Sequence, residues 1–304
     1  MDLVVLAAGM GSRFGGDKQI ASIDNDDNFI LDYSIFDAKR AGFDRVVFII
    51  KKENEKIFRE KVGARLEGII DVEYVFQSID NVPLGAKVPQ DRVKPWGTAH
   101  ALYCCKDVLR DQFAVINSDD FYGRESFELI ANFFKENREE DQFISAGFMV
   151  KNTLSDKGSV KRGIFTLDGH KAKALTESEV KRENGKIIAT PLDKGEWREI
   201  EEDTLVSMTM FGFTKKLVNR LVRDYEKFFS QDESKLIKSE FLLPDVVNGM
   251  MLDNSIEMNV YTTPAKWYGI TYKEDLENFK SAIEKMKDEG KYPEHLYDLS
   301  ITKE

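Results

Sequence analysis

Cysteine is nearly missing from this sequence of 304 residues: Cys104 and Cys105 stand side by side in an apolar stretch. Two neighbouring thiols cannot build a disulfide framework, and in that setting they read as small buried hydrophobes. Proline is also sparse, at 7, against 21 phenylalanines and 42% hydrophobic residues, which excludes a disordered or low-complexity chain. No apolar run approaches the roughly 20 residues that a membrane-spanning helix needs. Positive charge is in deficit, with 44 Lys and Arg against 54 Asp and Glu and a net charge of −10. Such a field argues against nucleic acid or an anionic bilayer as partner. The chain opens Met-Asp-Leu with no basic segment ahead of its first apolar run, so a cytoplasmic protein is expected.

What is present is an alternation of strand and helix signals. Leu3 to Ala8, Arg45 to Ile50, Val72 to Gln77 and Phe113 to Asn117 read as strands. Helical patterns lie between and after them, near 30–40, 54–66, 97–109 and 125–137. That series predicts a doubly wound, mostly parallel α/β sheet. From about residue 142 the signals turn to β-hairpin type, with the turn dipeptide Asn184-Gly185. Helical patterns return near 215–229, 241–252 and 273–287, with a strand at Ile256 to Thr262. No Gly/Ser linker divides the chain, so a single domain over 1–304 is expected, with a nucleotide-binding part at 1–141 and an acceptor-binding part with closing helices at 142–304.

The segment Leu6-Ala7-Ala8-Gly9-Met10-Gly11-Ser12-Arg13-Phe14-Gly15-Gly16-Asp17-Lys18 follows the first strand directly. Its glycines leave backbone N–H groups free to face an anion, and Arg13 and Lys18 add charge, which suits a phosphate cradle. It is not a dinucleotide fingerprint, because position 14 is Phe14 and the second strand ends Ile50-Lys51-Lys52 without the ribose-binding acid. The spacing of a Walker loop is also absent. The segment resembles the signature of the sugar-1-phosphate nucleotidyltransferases, Leu-x-Gly-Gly/Ala-x-Gly-x-Arg with a lysine shortly after. Gly97-Thr98-Ala99-His100-Ala101 is similar to the same family's helix start, and Asn117-Ser118-Asp119-Asp120 to its Gly-Asp pair. The resemblance implies a Rossmann-like sheet with a β-rich insertion for the acceptor. It also implies transfer of a nucleotidyl group from a nucleoside triphosphate to a sugar 1-phosphate, with Mg²⁺ as cofactor.

Carried over residue by residue, the resemblance implies that Arg13, Lys18 and Asp119 are catalytic. Leu6, Ala7, Ala8, Gly9, Gly11, Ser12, Gln77, Gly97 and Thr98 would contact the nucleotide. Gly163 and Glu177 would contact the acceptor, and Arg92, Lys94, Lys161 and Arg162 could extend the positive patch. Asp119 would hold the metal. The second metal position departs from the family: Gly269 aligns with an aspartate of the thymidylyl enzymes, Thr271 with an asparagine of the uridylyl enzymes, and Glu274 or Asp275 could substitute. Gln77 falls where those two branches carry a glutamine that reads the pyrimidine edge, so UTP or dTTP is the expected substrate. Its amide offers one acceptor and two donors for that purpose.

A phosphomonoester is already largely ionised at neutral pH, so the reaction needs no general base. Arg, Lys, backbone N–H groups and a divalent cation suffice to align two polyanions and neutralise charge as it moves onto pyrophosphate. His100 therefore reads as a packing or polar helix-start residue. Three other readings stay open: cytidylyl-type transfer to phosphocholine or another small alcohol phosphate, a glycosyltransferase using Ser118-Asp119-Asp120 for its metal, and a non-catalytic nucleotide sensor. The identity of the sugar and homo-oligomer formation are not legible.

Overall fold

Strands β1 (Asp2–Leu6), β2 (Arg45–Ile50), β3 (Asp71–Phe76) and β4 (Gln112–Asn117) pair in parallel in the order β3-β2-β1-β4. The structure is a computed structural model that describes residues 1–9, 22–155, 158–193, 195–270 and 273–297. Leu3, Val4, Val5, the run Val46–Ile50 and Phe113–Ile116 are buried on both sides of the sheet, which is why these segments read as continuous apolar runs instead of alternating ones.

One face of this sheet is covered by α1 (Ile30–Ala41), by helical turns across residues 55–66 and, further along the chain, by α3 (Arg124–Glu136). The opposite face is covered by α2 (Thr98–Tyr103), α4 (Lys215–Phe228) and α5 (Leu243–Leu252). The closing helix α6 (Lys273–Asp288) packs Phe279 and Ile283 on Tyr33 of α1 and on Phe121. The start of α1 is fixed by Asp32, whose carboxylate accepts the Phe29 N–H at 2.7 Å.

The second half extends the same sheet instead of forming a separate layer. Strand β12 (Phe211–Thr214) runs antiparallel to β4 and to β6 (Gln142–Met149). Beyond them lie β11 (Leu205–Ser207), β7 (Val160–Asp168), β8 (Lys171–Glu183), β9 (Lys186–Pro191) and β10 (Arg198–Ile200), all antiparallel. Strand β13 (Glu257–Thr262) returns beside β6. Asn184 and Gly185 both have positive φ, 51° and 80°, so the β8–β9 hairpin turns where the dipeptide predicts. The helix expected over 97–109 ends at Tyr103, because the following turns tighten to three-residue hydrogen bonds such as Cys105 N–H to Leu102 O at 2.9 Å. Both thiols are free, with pKa values raised by burial, as inert packing residues should be. Among the described residues no helix is long and apolar enough to cross a membrane.

Candidate active site

The C-terminal ends of the parallel strands open onto a cavity of about 390 Å³, the place where open α/β sheets bind ligands. Leu6 at the end of β1, and Ala8 and Gly9 after it, share this cavity with Gln77 after β3 and with Gly97 and Thr98 at the start of α2. Three stretches distant in sequence, all named from their motifs, therefore meet around one space. Ala7 faces the other way and is packed in the core, because alternate residues at a strand end point to opposite sides. Gly11, Ser12, Arg13 and Lys18 lie outside the described residues, as does Thr271. Asn117 and Leu242, to which the sequence motifs assign no contact, also line the cavity.

Gly97 must be glycine. Its φ is +111°, and a Cβ there would lie 2.5 Å from Phe241 O. This close approach lets the Ala99 N–H reach Phe241 O at 3.0 Å, while the Thr98 hydroxyl accepts the Leu243 N–H at 3.0 Å. The Thr98 side chain thus ties α2 to α5. Gln77 Nε2 lies 3.0 Å from Gly97 O and 3.1 Å from His100 Nδ1. Its amide nitrogen is thus turned toward these two groups of the protein.

Three of the cations expected in a phosphate patch, Arg92, Lys94 and Arg162, have other partners, the last of them donating to Thr153 O at 3.2 Å and Lys161 O at 2.7 Å. The Arg92 guanidinium is buried on the Trp96 ring at 3.6 Å and donates to Leu236 O, to Ser239 O at 2.9 Å and to Pro95 O at 2.8 Å. It fastens the long loop after β3. Lys94 pairs with Glu240 at 2.7 Å. Lys161 is exposed on β7, whereas Arg162 lies inside, over the Trp267 ring at 4.9 Å. Arg162 feels the charges of Asp120 and Glu177, and burial brings its pKa down to about 10, so it stays protonated near neutral pH.

After β4 the chain turns through Ser118 and Asp119 into the short strand β5 (Asp120–Phe121), which pairs with β14 (Tyr268–Gly269). Asp120 Oδ2 accepts from Asn117 Nδ2 at 2.9 Å and from the Tyr122 hydroxyl at 3.2 Å. That hydroxyl is aimed by the Asn117 N–H, which donates to it at 3.0 Å. Burial and then the neighbouring Asp119 charge raise the Asp120 pKa to about 7. Gly269 stands opposite, where a Cβ would run into the Trp267 ring and lie 3.1 Å from Asp120 Oδ1. Gly269, Arg162, Glu274 and Asp275 line a second cavity of about 580 Å³.

No group of three metal-ligating side chains is assembled among the described residues. Two adjacent carboxylates at a strand end, one with its acidity weakened by burial beside the other, nevertheless have the hard-oxygen chemistry that suits Mg²⁺ with water completing its shell. Gly163 and Glu177 face each other across β7 and β8. Burial, then the Asp245 charge, raises the Glu177 pKa, while Arg162 and Lys161 oppose that shift.

Solved structures share this arrangement of elements. An inositol-1-phosphate CTP transferase from Thermotoga maritima superposes with a TM-score of 0.57 at 14% identity, over 94% of this chain and 96% of its own. A Bacillus anthracis protein described as a glucose-1-phosphate thymidylyltransferase gives 0.58 at 14% identity, over 93% and 94% of the two chains. A UDP-glucose pyrophosphorylase in complex with UDP-glucose gives 0.57 at 16% identity, over 93% and 98%. No curated protein matches the sequence. The family model described as nucleotidyl transferase matches residues 3–288, and the chain, a nucleotidyltransferase, belongs to that family.

Proposed function

We propose that this enzyme transfers a nucleotidyl group from a nucleoside triphosphate, UTP or dTTP first, to a sugar 1-phosphate, giving a nucleotide-sugar and pyrophosphate. The observation that carries this reading is the meeting of Ala8 and Gly9, Gln77, and Gly97 and Thr98 around one cavity at the strand ends. Glucose 1-phosphate and UDP-glucose appear in the names of the thymidylyl and uridylyl neighbours, which supports a sugar phosphate as acceptor.

In the proposed reaction an ionised oxygen of the acceptor phosphate forms a bond to the α-phosphorus. The bond from that phosphorus to the β-phosphate oxygen breaks, and pyrophosphate leaves with the electron pair. Arg13 would neutralise the β- and γ-phosphates, and Lys18 the attacking and α-phosphates, with backbone contacts from Gly9, Gly11 and Ser12. Asp119, with Thr271 as the second position, would hold Mg²⁺, which supplies further neutralisation of the phosphates when bound. Gly163 and Glu177 would meet the acceptor sugar. A uracil-type base places an N3–H donor at the centre of its pairing edge, which suits the Gln77 carbonyl oxygen.

Titration of UTP, dTTP, CTP, ATP and GTP into the wild type and Gln77→Leu tests the base assignment. A preference for UTP or dTTP that collapses in Gln77→Leu is expected, because a site built around one hydrogen bond loses discrimination without it. A purine preference, or an unchanged ranking in the variant, would overturn it.

A further inference from the structure

An amide side chain reports on a base only if its orientation is fixed, since a half-turn exchanges acceptor for donor at nearly the same place. Two groups fix Gln77. Gly97 O can only accept, so the atom 3.0 Å from it is the amide nitrogen. The second neighbour, His100, has its own polarity dictated one step further on: Nε2 lies 2.9 Å from Asn81 O, again a pure acceptor, and so must carry the hydrogen. Burial lowers the His100 pKa to about 4, so the ring is neutral and Nδ1 presents a lone pair to Gln77 at 3.1 Å. Asn81 is itself held, its Nδ2 donating to Phe76 O at 3.0 Å and its carbonyl accepting from the Tyr225 hydroxyl at 3.1 Å. Tyr225 also packs on the imidazole, with ring centroids 5.1 Å apart.

We infer that His100 is a positioning residue for base selection: it takes the second N–H of Gln77, so that only the carbonyl oxygen is offered to the nucleotide. With Gly97 O alone, one N–H would stay available and the amide could present a donor as well as an acceptor. With His100 in place the site offers a lone acceptor, which favours a pyrimidine carrying N3–H over one whose N3 is an acceptor. This inference rests on the reading of Gln77 as the base-facing residue.

Two substitutions separate the two sides of the imidazole. His100→Asn places an amide atom where Nδ1 was, able to accept from Gln77, but gives up the Asn81 contact. His100→Gln reaches Asn81 O with an N–H but has nothing in the Nδ1 position. The affinity ratio of UTP to CTP is measured for both and for Gln77→Leu, with thermal melting to confirm folding. The ratio should fall about tenfold in His100→Gln, the worth of one hydrogen bond, and stay within about twofold of wild type in His100→Asn. An unchanged ratio in His100→Gln, or a lost one in His100→Asn, overturns the inference, the latter because it would assign the effect to the Asn81 anchor. If Gln77→Leu keeps the wild-type ratio, the base-reading role fails and this inference with it. If Gln77→Leu loses the ratio and His100→Gln keeps it, only the role of His100 falls. Nitrogen NMR of the wild-type ring gives a check without any variant: an Nε2–H tautomer is expected, and an Nδ1–H tautomer contradicts the assignment.

Discussion

Gly163 stands directly opposite Glu177 in the β7–β8 pair, and the Cβ it lacks would lie 3.0 Å from Glu177 Oε1 and 2.9 Å from Leu175 Cδ1. The glycine therefore leaves the space in which the carboxylate rests. Gly163→Ala should push Glu177 aside and raise the acceptor KM about tenfold, with the triphosphate KM little changed, as expected when one substrate loses a polar contact. Steady-state kinetics with each substrate varied in turn decides this. Equal effects on both KM values would remove the pair from the acceptor site.

Gly97 predicts a stability effect. An alanine there would combine a φ of +111° with a contact 2.5 Å from Phe241 O. Gly97→Ala should lose about 2–4 kcal/mol in urea unfolding. Wild-type stability would mean that the α2–α5 junction relaxes freely.

The carboxylate pair after β4 predicts a metal phenotype. Asp119→Asn keeps the shape and removes the charge, so activity should be regained only at much higher Mg²⁺. A magnesium titration of the rate measures it. If Asp119→Asn behaves as wild type and Asp120→Asn is dead, the ligand is the neighbouring carboxylate.

A further prediction concerns pH. Asp37 is buried, accepts from the Tyr292 hydroxyl at 2.7 Å, and has no partner for Oδ1 among the described residues. Burial raises its pKa from 3.8 to about 8. The fold thus favours the neutral carboxyl, whose contribution to stability is complete below about pH 4 and is lost as pH rises through about 8. Asp37→Asn imitates the neutral group, so its melting temperature relative to wild type should rise across that window. A constant difference between the two melting curves from acid to alkaline pH would show that folding does not raise the Asp37 pKa.

The inner strands of the parallel half, β1, β2 and β4, were legible because they are buried on both faces and so appear as unbroken apolar runs, and Asn184-Gly185 announced its hairpin by backbone chemistry. The β5–β14 pair was not legible, since two residues on each side leave no periodicity. Arg92 read as a candidate phosphate ligand because spacing does not reveal carbonyl oxygens arriving from residues 236 and 239. Gln77 read correctly as a residue at a strand end, but the loss of both its donors depends on Gly97 and His100, 20 and 23 positions away. The proximity of Arg162 to Asp120 and Glu177 likewise arises only when the strands pair.

The most direct test of the account is pyrophosphate release from a panel of triphosphates, each offered with sugar 1-phosphates, inositol 1-phosphate and phosphocholine in the presence of Mg²⁺. The account predicts release with UTP or dTTP and a sugar 1-phosphate, matched one for one by nucleotide-sugar, and lost in Lys18→Ala by about 10² to 10³ in rate. Release confined to CTP with phosphocholine or inositol 1-phosphate, or no release with any pair, would contradict it.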